Sequence, residues 1–168
     1  MNLPELKIGK LVAQVPIIQG GMAIRLSTAP LAAAVANEGG IGLIAASGMG
    51  LDELRKEIRM ARELTGGKGI IGINAMVAAR QFLDLITTAA EEGIDLIVAG
   101  AGFSRDIFAV GKKYGVEVVP IVSSARLAQT AEKLGASAVV VEGTEAGGHL
   151  GTQQSIKEIL PEVIEAVN

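Results

Sequence analysis

The sequence predicts an α/β fold built on a parallel sheet. Short β-branched runs alternate with longer amphipathic ones, the alternation repeats about every 25 residues, and glycines punctuate most of the switches. Short glycine-marked turns between helix and strand imply right-handed crossovers between parallel neighbours.

The elements follow in order. Val15 to Gln19 reads as the first strand, and Leu31 to Asn37 as the core of a helix stopped by Gly39-Gly40. Ile41 to Ala46 is the second strand, followed by a charged amphipathic helix from Asp52 to Leu64 that closes at Gly66-Gly67. Ile70 to Asn74 is the third strand, with a helix from Phe82 to Glu92 ended by Gly93. Leu96 to Ala99 is the fourth, with a helix from Arg105 to Tyr114 ended by Gly115. Val116 to Val122 is the fifth, with a helix from Ala125 to Leu134 ended by Gly135. Ala138 to Glu142 is the sixth, and Ser155 to Val167 a last helix, which Pro161 should kink or break. The strands are near-continuous apolar runs, as expected when both faces of a sheet are covered. Nothing marks a second domain, so residues 1–168 read as one. A closed (β/α)8 barrel takes about 250 residues. Six units therefore leave two architectures: an open doubly wound sheet, or a barrel lacking its last quarter.

Composition narrows the chemistry. Of 168 residues, 49% are hydrophobic and 20% charged, enough for one well-buried core. Fifteen Lys plus Arg against 18 Asp plus Glu give a net charge of −3, which offers no basic excess for a nucleic-acid backbone. The absence of cysteine removes disulfides, thiolate metal sites and thiol nucleophiles. With a single histidine, His149, no poly-histidine metal site can form, and no metal is expected. The 22 glycines are about 13% of the chain, against roughly 7% on average. Beside only three Phe, one Tyr and no Trp, they suggest tight turns and close backbone approach to a ligand. Met1 to Lys10 does not read as a signal peptide, and no apolar stretch reaches the roughly 20 residues of a membrane span; Ala29 to Ala36 is the longest. A cytoplasmic protein with no membrane partner is expected.

Small and polar residues gather where the strands end: Gln19-Gly20-Gly21-Met22, Ser47-Gly48, Asn74, Gly100-Ala101-Gly102, Ser123-Ser124, and Glu142 through His149. In any parallel α/β sheet that edge is the ligand side. Turns need glycine, but they do not need Asn74, Glu142 or His149. Gly40-Ile41-Gly42-Leu43-Ile44-Ala45 matches a dinucleotide fingerprint as a string, yet its glycines precede a strand instead of joining strand to helix. Gly100-Ala101-Gly102 is correctly placed, but Arg105 replaces the third glycine, and no phosphate-binding loop of the G-x-x-x-x-G-K-[ST] kind is present.

Five segments stand in an order that resembles the nitronate monooxygenase family and its relatives, the FMN-dependent enoyl-acyl-carrier-protein reductases of type II. They are Pro16 to Ala23, Leu31 to Gly42, Gly72-Ile73-Asn74, Gly100-Ala101-Gly102, and Val141-Glu142-Gly143-Thr144-Glu145-Ala146-Gly147-Gly148-His149-Leu150-Gly151. The last is the most specific, and together they cover essentially the whole chain. The resemblance implies a TIM (β/α)8-type barrel truncated to about six βα units, with FMN at the carboxyl ends of the strands. It implies that the Gly20-Gly21-Met22 backbone lies against the isoalloxazine ring, that Asn74 bonds the polar edge of the flavin, and that Glu142 lies near the cofactor. Gly147 and Gly148 bring the last loop close to the flavin and aim His149, the family's catalytic histidine, at the substrate. An imidazole exchanges a proton near neutral pH, which suits both activities. In a nitronate monooxygenase the histidine assists deprotonation of a nitroalkane or holds the nitronate that oxygen then traps; in a reductase, NAD(P)H reduces the flavin and the histidine orients or protonates an enoyl thioester. Glu142-Gly143 leans toward the reductases. Glu145 reads as a carboxylate that orders its loop.

The family's seventh and eighth strands, whose loops grip the FMN phosphate, would follow Asn168. Three expectations result: a ring-side flavin site without that anchor, self-association through open sheet edges at the first and sixth strands, and, as a third functional reading, a scaffold that has lost its cofactor.

Overall fold

The structure, a computed structural model, describes residues 3–149 and 151–168; Met1 and Asn2 of the N-terminal segment and Leu150 of the last motif lie outside them. The chain opens with an antiparallel hairpin, β1 (Leu6–Ile8) and β2 (Leu11–Ala13). Six βα units follow: β3 (Ile18–Gln19) with α1 (Ala29–Asn37), β4 (Ile41–Ala45) with α2 (Leu51–Leu64), β5 (Ile70–Met76) with α3 (Phe82–Glu91), β6 (Leu96–Gly100) with α4 (Asp106–Tyr114), β7 (Glu117–Val122) with α5 (Ala125–Leu134), and β8 (Val140–Val141) with α6 (Ile156–Ala166).

Sheet order decides between the two architectures. The strands lie β3-β4-β5-β6-β7-β8, every neighbour parallel, and the order never reverses. A doubly wound sheet needs a reversal to place helices on both faces. With crossovers of one hand and one direction, every helix lies on the same side. The result is a curled six-stranded sector of a TIM-type barrel.

The pleat sorts the core accordingly. Ile44, Ile71, Ile73, Ile97 and Ala99 point outward into the helices, in one cluster with Leu54, Ile58, Leu85 and Ile86. Ile41, Leu43, Leu96, Val98 and Val119 point inward, where Ile8 and Ala13 of the hairpin pack on them. The hairpin thus covers the inner face, and the Lys10 N–H donates to Glu117 Oε1 at the start of β7 (3.1 Å). A third cluster joins Val122, Ala128, Ile159 and Val163 across β7, α5 and α6.

Four expectations need correction. The hairpin was not anticipated, although Leu6/Ile8 and Leu11/Ala13 alternate about a Gly9-Lys10 turn with Gly9 at φ +53°. The first strand shortens to Ile18–Gln19, because Pro16 has no N–H and the Ile17 N–H turns back onto the Val15 carbonyl (2.8 Å). The sixth shortens to Val140–Val141, although Ser137 N to Val118 O (2.9 Å) and Glu142 N to Val122 O (3.0 Å) extend its bonding to β7. Pro161 does not break α6. Ile159 and Val163 anchor the helix on both sides of it, and the missing N–H frees only the carbonyl of the exposed Lys157, which water can satisfy.

Candidate active site

Helix starts and strand ends meet at one edge of the sheet, and the predicted site residues fall there in two groups. The first surrounds the turn after β3. Ser27 is fully buried beneath it; its Oγ accepts from the Met22 N–H (2.9 Å) and from Gln19 Nε2 (3.2 Å), and donates to the Gly20 carbonyl (3.4 Å). Gln19 Oε1 accepts from the Leu43 N–H of the next strand (3.3 Å), and the Ser27 carbonyl accepts from the Ala45 N–H (2.8 Å). The Gly20-Gly21-Met22 turn is therefore tied at both ends to β4.

Asn74 comes to this turn from β5. It stands level with Ala45 and Val98 in the sheet, on the inward face with Gly72, and its Nδ2 makes a long bond to the Val98 carbonyl (3.4 Å). Gly21 rests on it: a Cβ on Gly21 would lie 2.4 Å from Asn74 Cβ and 2.7 Å from Oδ1. The absence of a side chain at Gly21 is what lets loop and strand touch. Gly20 beside it faces open space, with no atom within 4 Å of where a Cβ would stand, and Met22 is 52% exposed. Farther along the loop, Arg25 grips Glu53 of α2 with two bonds (2.9 and 3.1 Å), which holds the Glu53 carboxyl below its ordinary pKa.

The second group surrounds the loop after β8. Glu142 Oε1 accepts from the Gly151 N–H (2.9 Å), and Ser123 Oγ, at the end of β7, donates to the Gly151 carbonyl (3.2 Å). Glu145 caps α6: its carboxylate accepts from the Ser155 hydroxyl and from the Ile156 N–H (2.9 Å). Those donors, Ser155 first, hold its pKa below the ordinary carboxylate value. Glu145 thus orders its loop, as expected. Between these anchors Gly147, Gly148 and His149 form an exposed arm. Nothing lies within 4 Å of a Cβ on either glycine, and Gly148, at φ +96°, holds a conformation that favours glycine.

The structure therefore brings Gly20, Gly21, Met22 and Asn74 together. It places Glu142 against Gly151 and leaves Gly147, Gly148 and His149 facing solvent on the same edge. Among the described residues no hydrogen bond joins the two groups, which stand at opposite ends of the six-stranded sheet. Sequence reasoning missed Ser27, and marked Ser123 only by its place after the fifth strand. Ser27 precedes a Thr-Ala-Pro helix start and reads as part of a cap, so its role inside the turn has no local signature. Among the described residues no three metal-ligating side chains cluster, and no helix is long and apolar enough to cross a membrane.

Comparison with known proteins adds to this geometry. A protein of Mycobacterium tuberculosis, (3aS,4S,5R,7aS)-5-hydroxy-7a-methyl-1-oxo-octahydro-1H-indene-4-carboxyl-CoA dehydrogenase, is 32% identical over 152 residues, 90% of this chain and 42% of its own length. A Staphylococcus aureus (strain Newman) protein named "Probable nitronate monooxygenase" is 32% identical over 88% of this chain and 51% of its own. Among solved structures, FabK from Thermotoga maritima superposes with a TM-score of 0.85 at 37% identity, covering 91% of this chain and 48% of that one. Nitroalkane oxidase from Streptomyces ansochromogenes, at 24% identity and a TM-score of 0.81, shares the fold. The chain spans about half the length of the relatives it matches. The nitronate monooxygenase family model matches residues 5–99 and 77–168, and the chain belongs to that family.

Proposed function

We propose that the carboxyl-end mouth is the ring side of an FMN site, and that the protein is an FMN-dependent oxidoreductase of the nitronate monooxygenase type, which oxidises alkyl nitronates with O2. The observation that carries this reading is the seat of Gly21 on Asn74 beside the open face of Gly20. A planar ring needs backbone that it can approach without a Cβ, and a polar group at its edge. Gly20 and Gly21 supply the first. Asn74 supplies the second, since among the described residues its Oδ1 accepts no bond.

In this reading the Gly20-Gly21-Met22 backbone and Asn74 hold the ring, and Ser27 fixes the turn. Bound FMN supplies the electron transfer between substrate and oxygen. Glu142 keeps the last loop closed on Gly151, and Gly147 and Gly148 let that loop fold over the mouth. His149 takes the proton from the carbon beside a nitro group, or holds the resulting anion through a ring N–H.

A second reading, NAD(P)H-dependent reduction of an enoyl thioester, draws support from the carboxyl-CoA dehydrogenase among the relatives and from Glu142-Gly143. Electron donor separates the two. Oxygen uptake with propionate 3-nitronate and no NADH is the expected result. Rapid bleaching of bound flavin by NADH, with no nitronate-driven uptake, would instead select the reductase.

The same reading includes self-association. β3 and β8 are the sheet edges, and Ile17 beside one and Ile164 of α6 beside the other are 57% and 65% exposed. Gel filtration is expected to show an assembly larger than the 17.2 kDa chain, and a clean monomer with sharp thermal unfolding would refute it.

A further inference from the structure

The loop that carries His149 is closed on itself. Glu142 Oε1 accepts from the Gly151 N–H (2.9 Å), the Thr144 N–H donates to the Gln154 carbonyl (2.8 Å), and the Ala146 N–H donates to the Gly143 carbonyl (3.0 Å). The Glu145 carboxylate takes the Ser155 hydroxyl and the Ile156 N–H (2.9 Å). Gly143 lies so close to the start of α6 that a Cβ there would stand 2.2 Å from the Ile156 nitrogen. These bonds join the loop to α6 and to itself. Only two bonds reach it from β7 among the described residues. The Glu142 N–H meets the Val122 carbonyl (3.0 Å) and so completes the pairing of β8, and Ser123 Oγ donates to the Gly151 carbonyl (3.2 Å).

The Ser123 bond falls where the arm needs it. Gly151 is two residues from His149, whereas the anchor on α6 at Ser155 is six residues away. Glycine has the widest backbone freedom of any residue. Here that freedom is removed from both sides: Glu142 holds the N–H of Gly151 and Ser123 holds its carbonyl, which fixes both flanking peptide planes. The contact is close, since a Cβ on Gly151 would lie 2.9 Å from Ser123 Oγ and 3.4 Å from Glu142 Oε1. The next residue does different work. Ser124 is the N-cap of α5, and its Oγ accepts from the Leu127 N–H (3.3 Å). Ser123 makes no side-chain bond to α5 among the described residues, so its hydroxyl serves the loop and Ser124 serves the helix.

We infer that Ser123 is a positioning residue for His149: by holding the Gly151 carbonyl it sets where the arm carries the imidazole relative to the mouth. The inference rests on His149 being the proton-transfer group and adds a residue that acts through it. A misplacement of about 1 Å in such a group can cost about 100-fold in rate.

The chain has one histidine, so a tag-free preparation gives a single set of imidazole proton signals in a magnetic resonance spectrum. That set reports on the arm directly and needs no flavin. Ser123→Ala is expected to shift and sharpen these signals, because a ring on a freer arm averages over more positions. It is also expected to lower kcat for nitronate-driven oxygen uptake by about 10–100-fold. FMN affinity stays unchanged, because the Gly20-Gly21-Met22 turn lies at the opposite end of the sheet. Ser123→Thr keeps the hydroxyl and is expected to match the parent protein in both readouts. Ser124→Ala is expected to lower the melting temperature through the lost cap and to leave the imidazole signals in place. In a His149→Ala background, Ser123→Ala is expected to lower kcat no further, since nothing is left to position. Imidazole signals unmoved by Ser123→Ala, or a loss of kcat equally large with and without His149, overturns the inference. Signals that move while His149→Ala turns over like the parent uphold the hold of Ser123 on the arm and fault the proton-transfer reading instead.

Discussion

His149→Ala is expected to lower turnover by about 10²–10⁴-fold, the contribution typical of a positioned proton-transfer group. The folded state should hardly notice. His149 is exposed, and its loop is anchored elsewhere, by Glu142 on Gly151 and by Glu145 on Ser155 and Ile156. Exposed substitutions of this kind usually change stability by less than about 0.5 kcal/mol. Steady-state oxygen uptake and a thermal melt, run on the same preparations, separate the two quantities. Turnover equal to the parent protein would remove the catalytic assignment of His149. A collapse in melting temperature would instead make the residue structural.

Gly42→Ala has the largest expected effect on stability. A Cβ at Gly42 would stand 1.9 Å from the Ala32 carbonyl oxygen and 2.5 Å from its carbon. Those are helix backbone atoms, which cannot swing aside as a side-chain tip can. Overpacking costs about 1–3 kcal/mol, and this contact belongs at the upper end. At roughly 2–4 °C per kcal/mol for a domain of this size, the melting temperature should fall by about 6–12 °C. Pushing α1 off β4 also disturbs Ser27, whose carbonyl bonds the Ala45 N–H and whose hydroxyl holds the Met22 N–H, so ligand binding at the turn should weaken with stability. Gly50→Ala is the control. Nothing lies within 4 Å of its Cβ, and the change should cost less than about 1 kcal/mol. Equal melting temperatures for the two variants would show that α1 does not pack on β4 as described.

Much of this architecture is legible in the residues because its signals are local. The runs Ile41 to Ala45 and Leu96 to Gly100 are buried throughout, and such strands show as unbroken apolar stretches. Gly115 and Gly135 end α4 and α5 in the left-handed conformation that made them readable as stops. Strand order is a different matter. Whether β3 pairs with β4 and the series then never reverses depends on long-range pairing, so the residue pattern alone leaves barrel sector and doubly wound sheet equal, and only the family resemblance favours the barrel before the sheet is seen. Pro161 misleads for a related reason: its cost is local, but Ile159 and Val163 secure the helix through the core.

The site divides in the same way. Position after a strand end marks Gly20, Asn74, Glu142 and His149 in sequence, because function in a parallel sheet collects there. Contact between Gly21 and Asn74, 53 positions apart, is a product of the fold. Ser27 is a still harder case: a small hydroxyl buried under a turn carries no pattern of its own, and only its three hydrogen bonds reveal what it does.

The visible spectrum of the purified chain titrated with FMN tests the central claim most directly. The account predicts a shifted or sharpened flavin band on mixing, and its loss in a Gly21→Val variant, whose larger side chain cannot fit against Asn74. A flavin spectrum unchanged by the protein, or an equal change with the variant, would contradict it.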